Sequence, residues 1–180
     1  MTTKTIQRIS TSPSIIIIGM AGAGKSTVGK ALAHYLNWAF VDTDNIIEAN
    51  YATKLQNVAD KLSKEEFLDT EATIIQSIYF NRTVIATGGS VVYREKAMEH
   101  LAKLGVIVHL KVDLNLIIER IAKNPDRGLA IAPGQTIEDL FYEREKLYQK
   151  YANITFEAKN LTPKDCVLEL VKKLPNELLQ

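Results

Sequence analysis

The sequence has few residues that could crosslink a protein, bind a structural metal, anchor it in a membrane or give it a large net charge. Its single cysteine, Cys166, cannot form an intramolecular disulfide, which is typical of the reducing cytoplasm. The three histidines lie far apart and have no zinc-ligand spacing. Basic and acidic residues number 22 and 21, so bulk charge favours neither a nucleic acid nor an anionic membrane as a partner. No apolar run approaches the ~20 residues of a membrane span.

These absences predict a small cytoplasmic protein with one core. The 180 residues suit one domain, and 46% of them are hydrophobic, which is enough to form a core without metals or disulfides. Residues 1–13 are polar and lack the apolar segment of a signal peptide, so we interpret them as a flexible tail. Residues 14–180 then form a single domain, which we expect to be a monomer.

Strand and helix patterns alternate along this domain. Short apolar runs predict strands at residues 14–18, 39–42, 83–87, 106–110 and 153–156. Amphipathic patterns predict helices at residues 24–36, 46–62 (broken), 63–79, 94–103, 114–122, 136–151 and 163–174. Residues 124–135 have two prolines and two glycines, which is typical of a lid loop. The alternation predicts an α/β fold with three layers, α/β/α, around a central five-stranded parallel sheet that binds ligands where its strands end.

A glycine-rich turn, residues 19–26, follows the first predicted strand and reads GMAGAGKS. It matches the phosphate-loop pattern GxxxxGK[ST]. Its glycines let backbone N–H groups surround a phosphate, and the helix that follows adds a positive dipole end. Lys25 can then reach the β- and γ-phosphates of a nucleotide, and Ser26 can ligate Mg²⁺. The predicted nucleotide contacts are Gly22, Ala23, Gly24, Lys25, Ser26 and Thr27.

Two carboxylates, Asp42 and Asp44, follow the second predicted strand. At the same edge of a parallel sheet, Asp42 can hold Mg²⁺ directly or through a water molecule. Asp44 can align an attacking hydroxyl group or accept its proton. The alternative is structural: Asp44 caps the following helix and Asp42 is a solvated strand end.

Three other charged residues need a partner or a role. Arg144 lies on the apolar face of its predicted helix, where a ligand carboxylate or an internal ion pair must satisfy it. Glu71 lies on another apolar stripe, and the two residues are candidates to pair with each other. Arg127 lies in the predicted lid, where it either closes over a γ-phosphate or is a solvated loop residue.

From residue 15 to about residue 174 the sequence resembles the shikimate kinases, P-loop kinases of the nucleoside-monophosphate-kinase fold. The resemblance is carried by the phosphate loop, by Asp42-Thr43-Asp44, by Thr87-Gly88-Gly89-Ser90 and by Arg144-Glu145-Lys146-Leu147-Tyr148. It implies an ATP- and Mg²⁺-dependent phosphotransferase that converts shikimate to shikimate 3-phosphate in chorismate and aromatic amino acid biosynthesis.

The resemblance also implies roles for individual residues. Arg120 matches an arginine near adenine, and Arg127 matches the lid arginine. Arg144 matches an arginine that holds the shikimate carboxylate, while the backbone of Gly88 and Gly89 contacts the substrate. Asp42 and Ser26 would serve Mg²⁺, and Asp44 would bind and orient the substrate.

The sequence departs from this family at the acceptor site. Leu68 stands where the family has an arginine that shares recognition of the substrate carboxylate, and Arg94 is one candidate to replace it. Ser90 replaces a third glycine, and Gly128 stands where proline is usual. Two alternatives therefore remain: a kinase of the same fold with another hydroxyl acceptor, or a nucleotide-binding relative with little catalysis.

Overall fold

The structure is a computed structural model that describes residues 12–124, 129–158 and 161–179. A five-stranded sheet organises these residues. Its strands are β1 (Ser14–Ile18), β2 (Ala39–Asp42), β3 (Thr83–Ala86), β4 (Gly105–Lys111) and β5 (Ile154–Glu157). All neighbouring pairs are parallel, in the order β2-β3-β1-β4-β5. The predicted central parallel sheet is confirmed.

Helices connect the strands and flank the sheet. They are α1 (Lys25–Leu36), α2 (Thr43–Tyr51), α3 (Leu55–Lys61), α4 (Lys64–Ser77), α5 (Glu95–Leu104), α6 (Leu114–Lys123), α7 (Ile137–Tyr151), α8 (Pro163–Val171) and α9 (Asn176–Leu179), with a short 3-10 helix at Val91–Tyr93. α1 packs against α8, and α4 packs against α5. None of the described helices is both long enough and apolar enough to cross a lipid bilayer.

The central strand β1 is buried on both faces of the sheet. Its four consecutive isoleucines, residues 15–18, have no exposed surface. Ile16 lies in register between Ile85 of β3 and Ile107 of β4, which are also buried. A continuous apolar run, rather than an alternating one, is what a parallel sheet covered on two faces requires. The main core therefore surrounds the strand that leads into the phosphate loop.

The region between β2 and β3 differs in detail from the prediction of one broken helix at residues 46–62. The first helix begins earlier, at Thr43, because the Asp42 side chain accepts a hydrogen bond from the backbone N–H of Asp44 at 3.1 Å. The chain then breaks at Ala52, whose φ is +50°, before α3 begins. α2, α3 and α4 surround a second apolar cluster, which contains Ile47, Leu55, Val58, Phe67, Leu68, Ile74 and Ala130.

Two predicted segments lie wholly or partly outside the described residues. Of the predicted tail, residues 1–13, only residues 12 and 13 are described, so its extent stays a prediction. Of the predicted lid, residues 124–135, the structure describes residue 124 and residues 129–135, which form neither helix nor strand. Arg127 is outside the described residues.

Candidate active site

The phosphate loop lies between β1 and α1, as predicted. Gly22 and Gly24 have φ angles of +82° and +97°, a region that residues with a Cβ rarely adopt. A Cβ on Gly19 would lie 2.7 Å from the carbonyl oxygen of Leu110 on β4, so this position also requires glycine. The loop therefore takes the curved backbone form that suits phosphate binding.

Lys25 is buried at the first position of α1 and faces the loop. Its ammonium group donates to the carbonyl oxygens of Gly19 at 2.8 Å and Met20 at 2.9 Å. Burial lowers its pKa to about 8, although the nearby carboxylates of Asp44 and Asp42 favour the charged form. At neutral pH the side chain still carries its positive charge inside the loop.

Arg120 of α6 contacts the phosphate loop from the other side. Its Nη1 donates to the carbonyl oxygens of Gly22 at 2.9 Å and Ala23 at 3.3 Å. A Cβ on Gly22 would lie 3.5 Å from the Cβ of Arg120, which shows how closely α6 approaches the loop. Arg120 thus adds a second positive charge to the rim of the cavity.

Ser26 and Asp42 form a pair at the junction of α1 and β2. The Ser26 hydroxyl donates to Asp42 Oδ2 at 2.5 Å, while Oδ1 of the same carboxylate caps α2. A hydroxyl and a carboxylate oxygen are the ligand types that Mg²⁺ prefers, so the pair fits the predicted metal ligands. No group of three or more His, Cys, Asp or Glu side chains that could hold a metal ion occurs within the described ranges.

Asp44 lies in the first turn of α2 and lines the cavity. The alternative in which Asp44 caps this helix is wrong, because the capping side chain is that of Asp42. Burial raises the pKa of Asp44 to about 6, and the negative charge of Asp42 adds to the rise, while Lys25 opposes it. A carboxyl group with this pKa can hold or release a proton near neutral pH, as a general base must.

Glu71, on α4, is another carboxyl group in the cavity wall. It is 2% exposed, and its Oε2 accepts a hydrogen bond from Ser90 Oγ at 2.6 Å. Burial raises its pKa to about 7, against the opposing effect of that hydrogen bond. Ser90, a departure from the family pattern, therefore provides the polar partner of a buried acid.

Arg144, on α7, is 1% exposed and lines the same cavity. Its Nη2 donates to the carbonyl oxygen of Ala130 at 2.8 Å, and its Nε donates to the hydroxyl oxygen of Tyr93 at 3.3 Å. Among the described residues it forms no salt bridge, so the suggested pairing with Glu71 is not observed. A buried guanidinium group without a carboxylate partner can accept one from a ligand.

The two glycines after β3 are needed because charged groups approach them closely. A Cβ on Gly88 would lie 2.0 Å from Glu71 Oε1 and 2.9 Å from Asp44 Oδ1. A Cβ on Gly89 would lie 3.1 Å from Arg144 Nη1 and 3.2 Å from the backbone nitrogen of Ala21. Two carboxyl groups, a guanidinium group and the phosphate loop therefore converge on this turn.

Leu68 and Arg94 do not restore the missing arginine. Leu68 is 2% exposed and belongs to the second apolar cluster, so it places no polar atom in the cavity. Arg94 binds Glu65 at 2.6 Å and Asp69 at 2.7 Å on the outside of α4. The suggestion that Arg94 replaces the absent arginine is therefore wrong.

Sequence reasoning missed the residues that support the turn after β3. Thr43 Oγ1 accepts a hydrogen bond from the backbone N–H of Gly88 at 3.2 Å. The Tyr148 hydroxyl donates to the carbonyl oxygen of Gly89 at 2.6 Å. Tyr148 lies one helical turn after Arg144, so its spacing places both on one face, but the sequence does not indicate its partner.

One cavity of about 630 Å³ brings these residues together, a size usual for a small-molecule site. Apolar residues at one end also line it and were not predicted: Val112, Ala158, Leu161, Pro163 and Cys166. Cys166 is buried, as predicted, and burial raises the pKa of its thiol. The predicted site residues that line the cavity are Gly22, Ala23, Gly24, Lys25, Ser26, Thr27, Asp42, Asp44, Gly88, Gly89, Arg120 and Arg144.

Comparisons with known proteins agree with this geometry. A family model described as "Shikimate kinase" matches residues 21–175. A shikimate kinase of Thermodesulfovibrio yellowstonii is 36% identical over 163 residues, which cover 89% of this chain and 94% of the relative. A shikimate kinase of Sulfurihydrogenibium sp. is 35% identical, covering 89% and 97%.

Solved structures show the same fold. The shikimate kinase of Acinetobacter baumannii, solved in complex with shikimate, superposes with a TM-score of 0.81 at 28% identity, covering 89% of this chain and 92% of that chain. The shikimate kinase of Aquifex aeolicus gives a TM-score of 0.75 at 28% identity, covering 88% and 94%.

Proposed function

The chain belongs to the shikimate kinase family, and we propose that it transfers the γ-phosphoryl group of ATP to a hydroxyl group of shikimate, giving shikimate 3-phosphate and ADP. The observation that carries the proposal is that one cavity holds both sets of residues. A complete phosphate loop lines it together with Asp44, Glu71 and Arg144. Donor and acceptor can therefore meet without leaving the site, as phosphoryl transfer requires.

At the nucleotide side, the loop amides and Lys25 bind the β- and γ-phosphates and offset the charge that develops during transfer. Arg120, which already contacts the loop carbonyls, binds near the base. Bound beside Ser26 and Asp42, Mg²⁺ would neutralise phosphate charge and help to orient the triphosphate. Arg127 completes this set of positive charges in our proposal.

At the acceptor side, Arg144 binds the carboxylate of shikimate and the backbone of Gly88 and Gly89 contacts its ring substituents. Asp44 receives the hydrogen bond of the attacking hydroxyl and takes its proton as the bond to phosphorus forms. Its raised pKa supports this role, because a carboxylate that is moderately basic accepts a proton more readily.

A coupled assay of ADP release tests the proposal. We expect steady turnover with ATP, Mg²⁺ and shikimate, and a product that carries one phosphate on shikimate by mass spectrometry. ADP release that does not depend on shikimate would indicate hydrolysis only. Turnover with another hydroxyl compound but not with shikimate would contradict the proposed acceptor.

The apolar environment of Leu68 favours one alternative, a kinase of this fold with a different hydroxyl acceptor. With an arginine at this position a shikimate carboxylate would have two guanidinium partners, whereas here it has one. A panel of small hydroxy acids and polyols, assayed beside shikimate, separates the two candidates by their kcat/KM values.

Leu68→Arg tests the acceptor side directly. We expect the KM for shikimate to fall by about fivefold or more, because a second guanidinium group strengthens carboxylate binding. The thermal midpoint should also fall, since a charge enters an apolar cluster. Leu62→Arg is the control, because Leu62 is only partly buried beside the same cluster. An unchanged KM with shikimate in a folded Leu68→Arg protein would contradict this view of the carboxylate site.

A further inference from the structure

The cavity has one buried guanidinium group, that of Arg144, and Lys64 packs against the same tyrosine ring as Arg144. Lys64 opens α4, one helical turn before Phe67, which lines the cavity. Its ammonium group is 5.2 Å from the centre of the Tyr93 ring. The guanidinium carbon of Arg144 is 5.3 Å from the centre of the same ring.

Lys64 is unusual in its position. A cation in the first turn of a helix opposes the helix dipole, and the next two residues of α4 are glutamates, as the dipole favours. Among the described residues Lys64 forms no salt bridge. The helix dipole therefore does not explain why a lysine is placed here.

The acidic groups around Lys64 are already engaged. Glu65 binds Arg94 at 2.6 Å, and Glu66 accepts hydrogen bonds from Ser63 in the capping box of α4. Glu143 of α7 is the remaining acid: hydrogen bonds from Tyr93 and Gln135 lower its pKa, and the charges of Lys64 and Arg144 lower it further. The charges of both cations therefore act on the same exposed carboxylate.

We propose that Lys64 is the second cation of the acceptor site and that, with Arg144, it binds the acceptor carboxylate beside the Tyr93 ring. It lies on α4 four residues before Leu68, the position at which the family has an arginine. The flexible stem of lysine allows the ammonium group to move from the Tyr93 ring to a carboxylate held by Arg144. Lys64 is therefore a specificity-determining residue, and this inference rests on the proposed function.

Lys64→Met tests the proposal, because it keeps the apolar stem and removes only the charge. We expect the KM for shikimate to rise about five- to tenfold, with kcat and the KM for ATP unchanged. Lys64→Arg should keep a KM near that of the parent protein. The methyl ester of shikimate, which has no carboxylate charge, should show the same KM with the parent protein and with Lys64→Met.

Lys61→Met is the matched control, because Lys61 ends the neighbouring helix α3 and should leave the KM unchanged. An equal KM for shikimate in Lys64→Met and the parent protein would overturn the role of Lys64 and leave the proposed function standing. The same rise in Lys61→Met would overturn it too, since the effect would then be general electrostatics. If the parent protein neither binds shikimate by calorimetry nor phosphorylates it, the proposed function fails, and the carboxylate role of Lys64 fails with it.

Discussion

Replacing Lys25 by alanine should reduce phosphoryl transfer by about a thousandfold or more while the fold is preserved. Lys25 is the buried positive charge of the phosphate loop, and its ammonium group lies among the loop carbonyls and the carboxylates of Asp42 and Asp44. Loss of one such group from a site that stabilises developing charge costs at least two to three powers of ten in rate, roughly 3–4 kcal/mol. The measurement is kcat with saturating ATP and shikimate.

The fold should tolerate this change because burial opposes the charge of Lys25, as its lowered pKa indicates. Circular dichroism and the thermal midpoint of Lys25→Ala should stay close to those of the parent protein. Lys30→Ala provides the control, since Lys30 is an exposed residue of the same helix and faces Phe40 at 5.7 Å. Retained turnover in Lys25→Ala, or an equal loss in Lys30→Ala, would refute the role of Lys25.

The nucleotide side could be predicted from the sequence because its determinants are local. The phosphate loop is one continuous segment, and its glycine pattern fixes both the backbone form and the position of Lys25. Asp42 and Ser26 are 16 residues apart, yet adjacency follows from the rule that parallel strands end at one sheet edge. The phosphate-loop motif and the parallel-sheet topology together were sufficient to predict the position of these residues.

The acceptor side could be predicted only in part because its contacts join distant segments. Glu71 and Ser90 were each recognised as unusual, but their hydrogen bond depends on how α4 packs beside the turn after β3. Arg144 is an arginine on an apolar face, but its bonds to Ala130 and Tyr93 involve a loop and a short 3-10 helix whose conformations no periodicity specifies. Packing of irregular segments, rather than local propensity, decides such contacts.

Asp44 and Lys25 are buried groups whose charges, which our proposal uses in phosphoryl transfer, disfavour the folded state. Burial and the neighbouring carboxylate of Asp42 disfavour the negative charge of Asp44. Burial also disfavours the positive charge of Lys25. Each charge partly relieves the other, so the pair is tolerated in the folded protein. Buried ionisable groups with shifted pKa values are expected at active sites rather than elsewhere in a core.

Asp44→Asn should lower kcat by about a hundredfold or more and yet stabilise the fold at neutral pH. An amide cannot take the proton of the attacking hydroxyl, and loss of a general base typically costs two to four powers of ten in rate. The folded-state pKa of about 6 lies above the ordinary value of 3.8, so folding is opposed by the ionised form. Because Asp44 keeps partial exposure, we expect a gain of about 1–2 kcal/mol, or ~2–6 °C in the thermal midpoint at pH 7.5.

Protonation of Asp44 affects folding stability and activity in opposite directions as the pH changes. In the parent protein, the stability that protonated Asp44 contributes is complete below pH 3.8 and is lost as the pH rises through about 6. Activity moves in the opposite direction and falls as the pH drops through about 6, because the proton acceptor is then already protonated. The gain in stability of Asp44→Asn should therefore vanish near pH 4. Asp60→Asn, the same change at an exposed position, should alter neither property, and a fully active or less stable Asp44→Asn protein would contradict the assignment.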